Sequence, residues 1–279
     1  MPRLAAAAAL LFLAGFPAAI PDPVNPDPNG PRPIAAVDSV FIEDLTWMEI
    51  RDSIRAGTDT VIVATGGVEQ NGPYLVTGKH NIILRGVTEA IARKLGKTLV
   101  APIVPFVPEG GIDPPTDHVR YPGTISVTEE TYEGLLTDIC GSLRAAGFRR
   151  IVVLGDSGGN QTGMKNVADA LTAKWAGGKT SVTYIPEFYD NAAITAFLEE
   201  NGIHQTLEGL HDDFVNTAQM MAVEPESVRM TQRIAAGNFR INGVDLAPAE
   251  KTIAWGRRIF EFRAEKTVAA IRAKTAAPE

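Results

Sequence analysis

One cysteine, Cys140, stands in 279 residues, so no internal disulfide can form and packing alone must hold the fold. It falls on the apolar stripe Tyr132, Leu135, Leu136, Ile139, Cys140, Leu143, where a thiol reads as a small core residue rather than a nucleophile. Positive charge is in deficit: 26 Lys and Arg face 33 Asp and Glu, a net −7 with no basic block. That composition argues against a nucleic-acid partner and for a mildly acidic, soluble surface. Internal repeats are absent as well. What remains is 45% hydrophobic and 21% charged, enough apolar material for the core of one large α/β domain.

The longest apolar run opens the chain. "MPRLAAAAALLFLAGFPAAIPDP" has one positive charge, a run of signal-peptide length, then small residues and prolines. This pattern predicts a secretory signal over residues 1–19, cut near Ala18 or Ala19, too short to span a membrane comfortably. Residues 20–40 read as an extended, Pro-rich linker, and 41–279 as a single domain. The mature chain is therefore expected in the periplasm or secreted, without stable membrane insertion.

Thr46 and Glu49 form a capping box that opens a helix through about Arg55. "DTVIVATGG" reads as a buried strand, and "NIILRGVTEAIARKLG" as a helix with Ile83, Leu84, Val87, Ile91 and Leu95 on one face. Further strands are predicted at "TLVAPIVPF", "RRIVVLGD" and "TSVTYIPEFY", and helices at 128–147, 164–175 and about 248–274. Strands alternating with helices predict a three-layer α/β/α fold with a mostly parallel central sheet.

In such sheets ligands bind beyond the carboxyl ends of the strands. Glu69 follows the first strand, Asp156 ends the third, and His80 begins a helix on the same side. "VEQNGPYLVTGKHN" thus brackets a turn between a carboxylate and an imidazole. "LGDSGGNQ" admits three readings: a G-x-S-x-G elbow with Ser157 as nucleophile and His211 with Asp190, Asp212 or Asp213 downstream, a serine-protease-like GDSGG string, or a loop that presents Asp156 to a metal. The protease reading is weak beside an α/β alternation.

These stretches together resemble the creatininase family of metal-dependent amidohydrolases over roughly residues 44–270. "TGGVEQNGPYLVTGKH" is similar to its Glu-x-His-Gly-Pro segment, "DPPTDHVRYPGTISVTEETY" to its Glu-His…Phe-Pro-Gly-Thr segment, "GFRRIVVLGDSGGN" to its Asn-Gly-His-Gly-Gly-Asn, and "HDDFVNTAQMMAVEPESV" to its His-Ala-Gly-Glu run. The resemblance implies hydrolysis of a C–N bond in a cyclic or other small amide, and a homo-oligomer. It also implies metal ligands, and here the chain departs from the pattern. Glu69 is retained, but Asn71 stands in place of a His, His80 of a bridging Asp, Ser157 of a His and Asn216 of a Glu. A rewired site is the expectation: Glu69, His80 and Asp156 as ligands of one divalent ion (Zn, Mn or Fe). The resemblance makes His211 the proton carrier, with His118 within reach of the pocket and Asp117 in place of a Glu. Asn71, Ser157, Gly158, Gly159, Asn160 and Asp212 are the expected substrate contacts. The competing expectations are a serine hydrolase built on Ser157 and a catalytically silent ligand binder.

Overall fold

A computed structural model of the chain describes residues 25–206, 211–237 and 240–275; the signal-peptide expectation lies outside them. The chain divides into two units at residue 35. In the first, the described stretch turns at Asp27, which accepts from Gly30 N (3.0 Å) on its carbonyl and from Asn29 N (2.9 Å) on its carboxylate.

The second unit carries the sheet. Its elements run α1 (Trp47–Arg55), β1 (Thr60–Thr65), α2 (Lys79–Leu95), β2 (Thr98–Val100), α3 (Glu129–Ala146), β3 (Arg150–Gly155), α4 (Gln161–Lys174), β4 (Ser181–Tyr184), α5 (Asn191–Glu200), α6 (Phe214–Val223), α7 (Met230–Ala235), a short β5–β6 hairpin (Arg240–Ile241, Val244–Asp245) and α8 (Ala249–Thr275). Strand order in the main sheet is β2-β1-β3-β4, all parallel.

Alternation along the strands divides the core in two. Ile62, Ala64, Val152 and Leu154 pack under α2 and α8, against Ile83, Leu84, Val87, Phe260 and Ala264. Val61, Val63, Ile151 and Val153 pack on the other face under α3 and α4, against Tyr132, Leu136, Met164 and Leu171. Successive residues of a strand point to opposite faces, so a sheet covered on both sides must be apolar throughout; β1 is buried at every position. Cys140 sits inside the second core, where burial pushes its thiol up to about 12.

Helix starts follow their local chemistry. Thr46 accepts from Glu49 N, and the Glu49 carboxylate accepts from Thr46 N at 2.8 Å, completing the capping box. Two strands are shorter than their apolar runs. β2 stops at Val100 because Pro102 and Pro105 lack the N–H a ladder needs, and only Val104 bridges back to Thr65. β4 stops at Tyr184, and Pro186 opens a 3-10 turn through Tyr189. Trp175 and Trp255 are buried in the packing, whereas Tyr121 is exposed at the end of a 3-10 turn. Among the described residues no helix is long and apolar enough to cross a membrane.

Candidate metal centre

Beyond the carboxyl ends of β1 and β3 lies a cavity of about 610 Å3, lined by Glu69, Lys79, His80, Glu109, His118, Asp156, Ser157, Gly158, Gly159, His211 and Arg263 among others. That volume suits a small molecule.

The turn after β1 delivers Glu69. Asn81 in the first turn of α2 clamps it, donating to Gly67 O (3.1 Å) and accepting from Gly67 N (3.3 Å). A Cβ at Gly67 would sit 2.1 Å from Glu109 Oε1, so any side chain there would push the Glu109 carboxyl aside. Glu69 is buried, and its two oxygens are used differently. Oε1 accepts from His80 Nε2 (2.9 Å) and Lys79 Nζ (3.1 Å), while Oε2 lies 3.2 Å from His118 Nε2. Burial alone would raise this carboxyl. The His80 hydrogen bond and the charges of Lys79, His80 and His118 outweigh it and hold the group far below the usual carboxylate range.

His80 and Asp156 join Glu69 in one buried chain. His80 donates from Nδ1 to Asp156 Oδ2 at 3.1 Å, and Arg263 Nη2 donates to Asp156 Oδ1 at 2.6 Å. Burial and Lys79 push the His80 ring down, but hydrogen bonds to Asp156 and Glu69 push it further up, and each ring nitrogen faces a carboxylate oxygen at hydrogen-bond distance. Asp156 is held down at about 2: burial raises it, and the Arg263 charge, with the His80 hydrogen bond, lowers it more. Arg263 is fixed in turn, donating to Gln219 Oε1 (2.8 Å) and resting 4.3 Å over the Phe188 ring.

The expected set Glu69, His80 and Asp156 is therefore together in space, but its donor atoms are spent on one another and on Arg263. An imidazole whose two nitrogens both face carboxylate oxygens turns no lone pair towards the cavity. A different trio has atoms to spare. His118, on the 3-10 turn Asp117–Arg120, and His211, ahead of α6, approach Glu69 from the cavity side, their rings 4.6 Å apart. His211 Nδ1 lies 3.9 Å from Glu69 Oε1, and one ligand atom from each of the three lies within 4.8 Å of the others. The Nδ1 atoms of both histidines are buried without a hydrogen-bond partner. Burial, then the Lys79 charge, push His211 down, favouring the neutral ring a metal requires. Two imidazoles and a carboxylate with an open side is a donor set suited to Zn, Mn or Fe.

Of the expected substrate contacts, Ser157, Gly158 and Gly159 line the cavity. Asn71, Asn160 and Asp212 do not: each is buried and engaged in holding the loops. Asn71 donates to Glu69 O (2.9 Å) and Val76 O (3.1 Å), Asn160 to Gly66 O (2.8 Å), and Asp212 accepts from Arg233 (3.0 Å). The neighbour of Asp212, Asp213, faces the cavity and caps α6 through Asn216 N (2.8 Å). Nor is Ser157 on a nucleophile elbow: its backbone is extended (φ −121°, ψ 146°) rather than sharply strained. Asp190 caps α5 and pairs with Lys266, and His204 is exposed beside Glu199.

Three further residues of the site, Lys79, Glu109 and Arg263, were not among the expected ones. Two of them carry a signal in the sequence: a lysine in the first turn of a helix opposes the helix dipole, and Arg263 interrupts the apolar face Ile259, Phe260, Ala264. Glu109 is buried with Oε1 unpartnered. Burial, and then the charge of Glu69, push it up to about 8.

The sequence profile of the creatininase family, described as creatinine amidohydrolase, matches residues 43–271. A 3-dehydro-scyllo-inosose hydrolase of Thermotoga maritima is 27% identical over 194 residues, 67% of this chain and 57% of the relative. A creatinine amidohydrolase of Pseudomonas putida is 28% identical over 121 residues, 42% of this chain and 44% of the relative. The matches thus span about half the length of these relatives. Among solved structures, a creatininase with Mn superposes with a TM-score of 0.65 at 22% identity, covering 86% of this chain and all of the other. A mutant creatininase of Zn–Zn type gives 0.63 at 21%, with 86% and 100% covered. At these identities the superpositions show the fold, the mostly parallel α/β/α sandwich expected from the sequence.

Proposed function

The chain belongs to the creatininase family, and on that premise we propose that it hydrolyses the C–N bond of a cyclic or other small amide, with one divalent ion held by Glu69, His118 and His211. The convergence of those three donors at the cavity carries the reading. When bound, the ion would supply Lewis acidity to polarise a carbonyl.

The chain's own groups have separable tasks. Lys79 and His80 hold Glu69 Oε1 and leave Oε2 facing His118. Asp156 and Arg263 hold His80, so the ligand carboxylate is aimed by a chain of buried charges. The backbone of Ser157–Gly159 lines the wall where the substrate would lie. In this arrangement His211 is a ligand rather than the proton carrier. Glu109, a carboxyl beside Glu69 that lines the cavity, is placed to protonate the departing nitrogen.

A second reading, a ring ketone bearing hydroxyls, is favoured by one observation. The inosose hydrolase aligns over more of this chain than the amidohydrolase does, and Tyr189, Asn191, Thr195, Gln205 and Asn216 supply hydrogen-bonding groups to the cavity wall. Export to the periplasm or medium is part of the proposal, supported by the charge, apolar run and small residues of the first 23 positions.

The test is metal analysis of the purified protein together with turnover of small cyclic amides and of an inosose, before and after chelation. The expected result is one ion per chain, activity lost on chelation and regained with Zn or Mn, and both lost in His118→Ala and His211→Ala. Turnover that survives chelation, or ions held equally well without both histidines, would overturn the reading. N-terminal sequencing of exported protein checks the cut near Ala19; an intact Met1 in the cytosol refutes it.

A further inference from the structure

Lys79 is the first residue of α2, a 17-residue helix whose cap, Gly78, offers no side-chain acceptor and whose first turn holds no acid. A helix N-terminus carries partial positive charge, so an ammonium there stands in an unfavourable field unless anions answer it. The Lys79 side chain is 3% exposed, yet it lines the cavity. Among the described residues Nζ donates to one acceptor, Glu69 Oε1 at 3.1 Å. An ammonium has three donors, which leaves two without a protein acceptor in a buried wall. The Glu69 oxygen that accepts from Lys79 is shared with His80 Nε2. The Lys79 charge is felt across the cavity at His211 and Asp213.

We propose that Lys79 is a specificity-determining residue: with the open end of α2 it forms an anion subsite that takes a carboxylate or similar oxyanion carried by the substrate. This deepens the proposed function, resting on the cavity being the active site, and narrows the substrate to one bearing a negative charge. The anion would accept from the two spare Nζ donors, a charge-assisted contact made against a buried wall. Orientation is set by the same contact: the anionic end sits on Lys79, and the bond to be broken lies toward Glu69, His118 and His211.

Inorganic phosphate is the probe, titrated calorimetrically into the full chain as purified and after chelation, so that anion binding by the protein is separated from binding by an ion. Lys79→Met should weaken phosphate binding by about ten- to a hundredfold, the loss expected for a hydrogen bond to a charged group. Lys79→Arg, which keeps the charge, should retain it within a few-fold. The proposal is overturned if phosphate binding vanishes on chelation of the wild-type chain, if the Met form binds as tightly as wild type, or if the Arg form fails as badly as the Met form. Because the decisive arm is metal-free, a chain that holds no ion would sink the proposed hydrolase and leave this result standing.

Discussion

Asp156 shows how a single buried carboxylate is made tolerable and how stability responds when its partners change. Its pKa is depressed from 3.8 to about 2 by Arg263 and His80. A group lowered in the folded state contributes stability above its unfolded pKa and loses it as pH falls through the folded value. Wild type should therefore lose stability as pH falls from about 4 towards 2, and Asp156→Asn should lack that component of the acid limb in thermal melts. At neutral pH the same variant leaves Arg263 buried without its anion and should be less stable by about 3–5 kcal/mol. Glu69, His80 and Asp156 could all be picked out from the chain, since each sits at a strand end or helix start. Glu69 keeps its expected place among the metal donors, but the parts played by His80 and Asp156 could not be read, because the charges that fix them, Lys79 and Arg263, count only once burial is known. A His flanked by two carboxylates is a ligand or a cation depending on what stands behind the carboxylates.

Elements matter at the site chiefly through how closely they approach. Helices α6 and α8 pack face to face, and Gly256 makes this possible: a Cβ there would lie 2.0 Å from Ala218 O, which is backbone and cannot swing away. Gly256→Ala gains up to about 1 kcal/mol of helix propensity, yet overpacking of this kind costs about 1–3 kcal/mol. Net destabilisation in urea titration is expected, along with weaker ion binding, since α8 carries Arg263 and α6 carries its second partner, Gln219. Helices α1 to α4 and α8 were readable from their periodicity and caps to within a few residues. The strands were not, at β2 and β4, where the apolar runs continue past the sheet but proline removes the donor, leaving irregular chain after β2 and a 3-10 turn after β4. His118 lies in the longest such connection, 101–128, with no helix or strand of its own beyond a 3-10 turn, which is why its meeting with His211 left no local signal.

For the whole molecule, ion binding should appear as stability. An ion at 100 times its dissociation constant stabilises the folded chain by about 2.7 kcal/mol. Zn or Mn should therefore raise the melting temperature of chelated wild type, and should leave His118→Ala and His211→Ala nearly unmoved. Equal shifts in all three would place the ion elsewhere. The fold class was legible because alternating strands and helices allow few architectures, whereas the site is assembled across the chain and is not. One consequence concerns synthesis. Arg263 comes after Asp156 by 107 residues, a delay of roughly 5–20 s at ordinary rates of translation. Until it emerges, the ribosome holds a chain whose β1, α2 and β3 are complete but whose interior anion has no counter-ion from α8. Closing the pocket early would strand that charge, so the last helix acts as the keystone, and a half-made chain carries no finished centre.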